Sequence, residues 1–412
     1  MPERLKIVVG LLKSHAGTGD KYSISNEFFH ILMEEFFKTF IMKNSYIITL
    51  FTILLLHSSC NRPHCILDVY ETDFKNQSKQ TIHGNKVDVT LPVGISDFVK
   101  CDSLFILLSH DPNAQISVYS SNDWQLLGSF CSKGRARNEF LSPSMISKQI
   151  FHNENGKIML PLREYRDEIR VLDITKSLET HNTVISQTKD CSSIYYVFLD
   201  NNIDYKFEYL PPKIDHSLQK SVRPPEFLIR RDENQIKKIK VYPRLMSMED
   251  PDYDSDIFYH GVLYKHPHRN LIIQPLISMD YILFFDIDYK KYYLIHQQGS
   301  LSFEDHISAI VETDDMTQMY EGKIMTPHFG DVICTDSFFM TLYFSGDYSI
   351  NVPDINKAAP ELLLFNWEGI FLKSVKLDTQ VQKIAYDEKH HILYGLEKNN
   401  EQLYSFDLSV IL

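Results

Sequence analysis

Five carboxylates fall within the eight residues Glu249-Asp250-Pro251-Asp252-Tyr253-Asp254-Ser255-Asp256, and the alternation of Asp252, Asp254 and Asp256 imitates the first ligands of a calcium loop. An EF-hand also needs glycine at its sixth position, for the sharp turn, and a bidentate glutamate at its twelfth. Ile257 and Leu263 stand there instead. The segment therefore reads as a solvated acidic loop, because like charges in a run repel and stay hydrated. His260, His266 and His268 are close in sequence, yet no carboxylate or cysteine stands at a recognisable ligand spacing, and no metal site is expected. The chain has no Gly-x-Ser-x-Gly elbow, Walker loop, dinucleotide fingerprint or His-Glu-x-x-His pair, so no catalytic residue is named. None of the six cysteines forms a Cys-x-x-Cys pair. Cys101, Cys131, Cys191 and Cys334 lie in or beside apolar runs and read as buried thiols that pack as small hydrophobes.

Arg135, Arg137 and Glu139, within Gly134-Arg135-Ala136-Arg137-Asn138-Glu139-Phe140, make the remaining candidate site. Two readings are open. Arg135 and Glu139 pair across a turn and fix the path of the chain, or Arg135 or Arg137 holds an anionic ligand, since a guanidinium offers fork-shaped donors suited to carboxylate or phosphate.

Chemistry of another kind is written at Met42-Lys43-Asn44, the apolar run Tyr46–Leu56 and His57-Ser58-Ser59-Cys60. A cationic start, an apolar stretch and small residues before a cysteine have the form of a secretory signal closed by a lipid-attachment cysteine. Spanning a bilayer takes about 20 apolar residues, and this run has eleven. A cleaved signal fits better than an anchor. His57 stands where leucine is usual, and Cys65, preceded by Arg62-Pro63-His64, is the weaker rival to Cys60. The expected division is an upstream extension outside the mature protein (1–41), a signal peptide (42–59), a lipid-anchored linker (60–84) and one large domain (85–412).

A formal net charge of −12 argues against a nucleic-acid surface, which needs clustered Lys and Arg. The 23 Tyr and 26 Phe, with frequent Ile and Val, favour pleated, half-buried surfaces. Six runs repeat one alternation that ends in a polar turn residue: Ile116–Ser120, Ile169–Asp173, Phe227–Asp232, Tyr281–Asp286, Leu362–Asn366 and Leu403–Asp407. Such a repeat marks a propeller. Around the first run, Ile95–Lys100, Leu104–Leu108, Ile116–Ser120 and Gln125–Phe130 read as the four strands of one blade. The second unit reads Ile146–His152, Lys157–Pro161, Ile169–Asp173 and Thr183–Gln187, with Asn153-Glu154-Asn155-Gly156 as a turn. Asp200–Pro225 and Ser345–Pro360 exceed hairpin lengths and read as loop insertions. The last unit has three strands, and Lys86–Leu91 is the spare that completes it. The expected fold is all-β: a six-bladed β-propeller closed by an N-terminal strand and preceded by a lipoprotein signal peptide.

The stretch Gly128–Phe140 resembles the TolB-like six-bladed β-propeller lipoproteins, which carry Gly-(Arg/Lys)-Gly-Pro-(Gly/Asn)-Glu-Phe after their first blade. Gly134, Arg135, Asn138, Glu139 and Phe140 match, while Ala136 and Arg137 depart from the pattern. The segment from Leu362 through the turn Asn366-Trp367-Glu368-Gly369 to Tyr404-Ser405-Phe406-Asp407-Leu408 is also similar, so the resemblance runs from about Met42 to the end. It implies an envelope protein anchored through lipid on Cys60, with the outer membrane and a periplasmic orientation favoured. It implies no activity, because a propeller hosts many unrelated functions. The expected function is a ligand- or protein-binding module without catalysis or cofactor, whose partners are the membrane, reached through the lipid, and an envelope protein or small ligand, not nucleic acid. The alternative is a metal-dependent hydrolase or lactonase, whose calcium would need several carboxylates converging in the channel.

Overall fold

A computed structural model describes residues 65–75, 80–165, 168–191, 193, 195–210, 213–215, 220–223, 226–232, 234–239, 241–243, 261–302, 305, 327–344, 360–397 and 401–412. The signal-like segment, Cys60, the acidic loop Glu249–Asp256, His260 and the expected insertion 345–359 lie outside these residues.

Alternation along each strand sets the architecture. In Leu104–Ser109, Phe105 and Leu107 enter one apolar cluster while Ile106 and Leu108 enter another, because successive side chains of a strand point to opposite faces. Both faces are buried, so this sheet has a neighbour on each side. The same holds all the way round. Six apolar clusters join successive sheets, first to second, second to third, and finally sixth back to first, where Ala385, Tyr394, Leu396 and Leu403 meet Ile95, Phe98, Phe105 and Leu107. Six blade sheets, beside one small two-stranded hairpin, and six shared interfaces make a closed six-bladed β-propeller.

The first blade is Ile95–Cys101, Leu104–Ser109, Ile116–Ser120 and Leu126–Phe130, in that order from the axis outward. In the fourth, Tyr264–Lys265, Leu271–Pro275, Tyr281–Asp286 and Lys291–Gln297 repeat it, and in the fifth Phe329–Cys334, Phe338–Tyr343, Glu361–Asn366 and Phe371–Leu377. The expected turn at Asn153–Gly156 forms as read: the Asn153 side chain accepts the N–H groups of Asn155 and Lys157, both at 3.0 Å, and Gly156 takes φ 73°. The second blade also carries a short helix, α1 (Ile174–Thr180), started by Asp173, whose carboxylate accepts the Lys176 N–H at 2.7 Å.

Two sequence expectations need correction. Asp200–Pro225 is not one loop: Tyr205–Leu210 is the second strand of the third blade, followed by a hairpin of Lys213–Asp215 and Lys220–Arg223. Its alternation is masked because Lys206 and Glu208 are both buried, Lys206 over the Tyr196 ring and Glu208 paired with Arg230. Ile146–His152 is not one strand either. Only Ser144–Met145 and Phe151–His152 pair with Ile158–Glu164, and the chain between them bulges towards the axis.

The ring is locked by its N-terminal segment. β1 (Cys65–Thr72) adds parallel to Lys291–Gln297 on the outer edge of blade four, and β2 (Gln80–Ile82) adds parallel to Phe371–Leu377 on blade five. β3 (Asn85–Lys86) then pairs antiparallel with Gln402–Asp407 and completes blade six. Closure is thus on the blade where the sequence puts it, but the strand is shorter than the expected Lys86–Leu91: only Asn85–Lys86 pairs, and Val87 N–H adds one bond to the Leu403 carbonyl at 2.9 Å. Within the expected linker 60–84, β1 and β2 cover two further sheet edges, whose exposed N–H and C=O groups would otherwise invite pairing with other chains.

One carboxylate ties this strap to the ring. Asp280 accepts from Lys75 Nζ at 2.8 Å, His328 Nδ1 at 2.6 Å and the Tyr343 hydroxyl at 2.6 Å, and also from Ser300 Oγ. Burial alone would push its carboxyl up, but the His328 hydrogen bond and charge and the Lys75 ammonium hold it well below the usual carboxylate range. A depressed folded-state value stabilises the fold above the unfolded value near about 4, and that contribution is lost as pH falls towards the depressed value. Asp280→Asn is therefore expected to flatten the decline of the urea midpoint between about pH 4 and pH 2, with the parent losing stability more steeply there.

Candidate functional site

The inner strands of the six blades surround a cavity of about 430 Å³ that receives side chains from every blade. Its polar equipment comes from places where those strands are interrupted or end. In the bulge of blade two, Ser147 and Lys148 take φ 49° and 55°. Left-handed backbone costs a non-glycine residue roughly 1 kcal/mol, and the bulge is held by compensating bonds. Gln149 accepts the Phe198 N–H at 2.7 Å and donates to the Phe198 carbonyl at 3.0 Å, and Ser147 Oγ donates to the Tyr196 carbonyl at 3.3 Å.

This geometry throws Lys148 across the axis. Its ammonium pairs with Asp331 of blade five, lies 3.4 Å from Asp97 of blade one and donates to the Ile384 carbonyl of blade six at 2.5 Å. Lys383 stands 3.8 Å from the other Asp97 oxygen, and the Ile384 N–H donates to Asp331 at 2.7 Å. Burial would push the Lys383 ammonium down, but Asp331 and Asp97 hold it above its ordinary value. One network therefore joins blades one, two, five and six.

Lys265, at the end of the inner strand of blade four, is different. It is only 6% exposed, and its ammonium donates to the His266 carbonyl at 2.9 Å, the Pro267 carbonyl at 3.4 Å and Asn201 Oδ1 at 3.4 Å. Among the described residues no carboxylate lies within ion-pair distance of it. Burial pushes its pKa down to about 8. Beside it, His266 accepts the N–H groups of His268 and Arg269 on Nδ1 at 3.0 and 3.2 Å, and its Nε2 faces the Asp336 carbonyl at 3.2 Å. Burial foremost, then Arg269, pushes His266 down to about 4, so it is a neutral ring packed on Trp367. His268 is exposed and pairs with Asp336 at 3.4 Å. These two histidines shape the mouth of the cavity.

The Arg135 loop is built as a connector. The Glu139 carboxylate accepts the Ala136 N–H at 2.8 Å, and it fills the place a Cβ on residue 134 would occupy, which is why glycine stands there. Gly134 N–H donates to the Phe140 carbonyl at 3.1 Å, Phe140 is wholly buried, and Arg170 lies over its ring while donating to the Glu139 carbonyl at 2.6 Å. No ion pair joins Arg135 to Glu139 among the described residues, because a backbone N–H already in place costs less side-chain entropy than an immobilised arginine. Arg135 and Arg137 are exposed on the connection between blades one and two.

Sequence reading did not find Lys148 or Lys265, since neither belongs to a linear motif and a left-handed lysine has no signature. It also missed a gathering at the end of the first two inner strands. Cys101, Asp102 and His152 bring Sγ, a carboxylate oxygen and a ring nitrogen within 4.8 Å of one another. Cys101 is half-buried, with its thiol pushed up to about 12 by burial first and by Asp102 second.

No family model and no curated protein matches the chain. Among solved structures it is similar to a Bacteroides fragilis NCTC 9343 protein provisionally described as exported, at 9% identity over 83% of this chain and 99% of that one, with a TM-score of 0.49. It is also similar to the Myceliophteria thermophila Cps50 (Swd1) β-propeller domain, at 6% identity over 79% and 100% of the two chains, with a TM-score of 0.40. Nothing about the activity or location of this chain is taken from either.

Proposed function

We propose that this chain is a TolB-like, lipid-anchored binding module of the cell envelope that holds a small acidic ligand in its channel and performs no catalysis on it. The observation that carries the ligand class is Lys265: a buried ammonium on the channel wall, hydrogen-bonded to neutral oxygens alone among the described residues. Asp200 and Asp288 act on it only from beyond ion-pair distance, and a desolvated cation with no carboxylate in direct contact gains most from an anion that supplies one. The anchor and the envelope rest on the signal-like run ending at Cys60. The exposed Arg135 and Arg137 offer a second, weaker place for an anion.

The calcium-dependent alternative is disfavoured by the channel's own carboxylates. Asp97 and Asp331 are bridged by the Lys148 ammonium, and Lys383 attends Asp97, so a cation that cannot leave already stands between them.

Titration calorimetry with acetate, succinate, citrate and inorganic phosphate tests the reading. At least one of these is expected to bind with 1:1 stoichiometry at pH 7, to weaken roughly tenfold by pH 9 as Lys265 loses its proton, and to weaken at least as much in Lys265→Met. No binding by any of the four, or equal affinity in Lys265→Met, would overturn it.

A further inference from the structure

We propose that Cys101, Asp102 and His152 form a zinc-type metal site on the rim of the channel. His152 lines the same cavity as Lys265, but the site shares no ligand residue with it and does not rest on the acidic-ligand reading. Its three donors come from two rigid elements: Cys101 ends the inner strand of blade one, paired with Leu104, Asp102 opens the turn that follows, and His152 ends the inner strand of blade two, paired with Ile158. The sheets therefore fix the backbone positions of Cys101 and His152, and Asp102 follows directly on the first of them.

Distances and donor types agree. Bonds of about 2.0–2.3 Å around a tetrahedral zinc place its donors roughly 3.5 Å apart, and here all three donor atoms lie within 4.8 Å of one another. His152 Nε2 already lies 2.8 Å from Asp102 Oδ2, the contact into which an ion would insert. The neighbouring cation does not compete, because Lys100 donates to the Asp102 carbonyl at 2.6 Å and faces Asp387 at 3.3 Å. Thiolate, imidazole and carboxylate together suit a borderline ion such as Zn(II), whereas calcium and magnesium take oxygen donors. On binding, the Cys101 thiol gives its proton to solvent and a sulfur–metal bond forms; no electron moves. Three protein ligands leave a fourth position for water or an oxygen of an incoming molecule.

The test is Co(II) loading followed by Zn(II) displacement. The protein is expected to take up one Co(II) with a thiolate-to-cobalt charge-transfer band, which Zn(II) abolishes. Cys101→Ser removes the band, and His152→Gln, at a half-exposed position that tolerates the change, weakens uptake by at least roughly a hundredfold. The chain has 17 histidines that can bind cobalt elsewhere, so Co(II) uptake without a thiolate band overturns the proposal. A band that survives Cys101→Ser, or no uptake at all, does the same.

Discussion

Lys148→Met is expected to destabilise the protein by about 3–5 kcal/mol, the cost of leaving a buried carboxylate without its partner. The Lys148 side chain is 9% exposed and that of Asp331 1%, and the second oxygen of Asp331 is buried with no hydrogen-bond partner. Methionine keeps the aliphatic stem beside the Phe98 ring, where the ammonium lies 5.4 Å from the centroid, so the loss isolates the charge. Adding Asp331→Asn to Lys148→Met should recover a large part of the deficit, because the stranded charge is then gone. Urea unfolding of the two singles and the double provides the cycle. Additive costs would show that the network does not act as one unit.

Phe74→Ala is expected to cost a similar amount, about 3–5 kcal/mol, through lost burial and the cavity left behind. Phe74 is wholly buried among Phe329, Tyr343, Phe365 and Phe371, with ring centroids 5.2–6.4 Å away, and its N–H donates to the buried Gln297 side chain at 2.9 Å. It is the plug between β1 and β2, so its loss should also admit protease to the strap before the ring opens. On β1, four residues earlier, Tyr70 is 55% exposed and touches Tyr293 edge-on. Tyr70→Ala is the control, with a loss of no more than about 1 kcal/mol. Equal losses at the two positions would mean that the strap merely lies against the blades.

Strand existence was legible because each blade is buried on both faces, and its alternation of apolar and aromatic residues survives in runs such as Tyr281–Asp286. Where polar residues are buried, as Lys206 and Glu208 are on Tyr205–Leu210, the alternation is hidden and the strand reads as loop. The outer additions β1 and β2 were illegible for another reason. Parallel pairing joins residues more than two hundred positions apart, Asp68 with Tyr293 and Gln80 with Val375, and neither short segment declares its partner. The site was the least legible part. Lys148 acts through a left-handed bulge, Lys265 through the absence of a carboxylate, and Cys101 and His152 through blade-to-blade packing, none of which leaves a spacing to find. Loop Gly134–Phe140 was found readily, and its motif encodes the fit of Glu139 over Gly134.

A crystal of the protein soaked with whichever of acetate, succinate, citrate or phosphate binds most tightly tests the central claim most directly. The account predicts the anion inside the channel, with an oxygen within hydrogen-bond distance of Lys265 Nζ and the Lys148–Asp331 pair intact. An anion seated outside the channel, or a channel left without it at saturating concentration, would contradict the account.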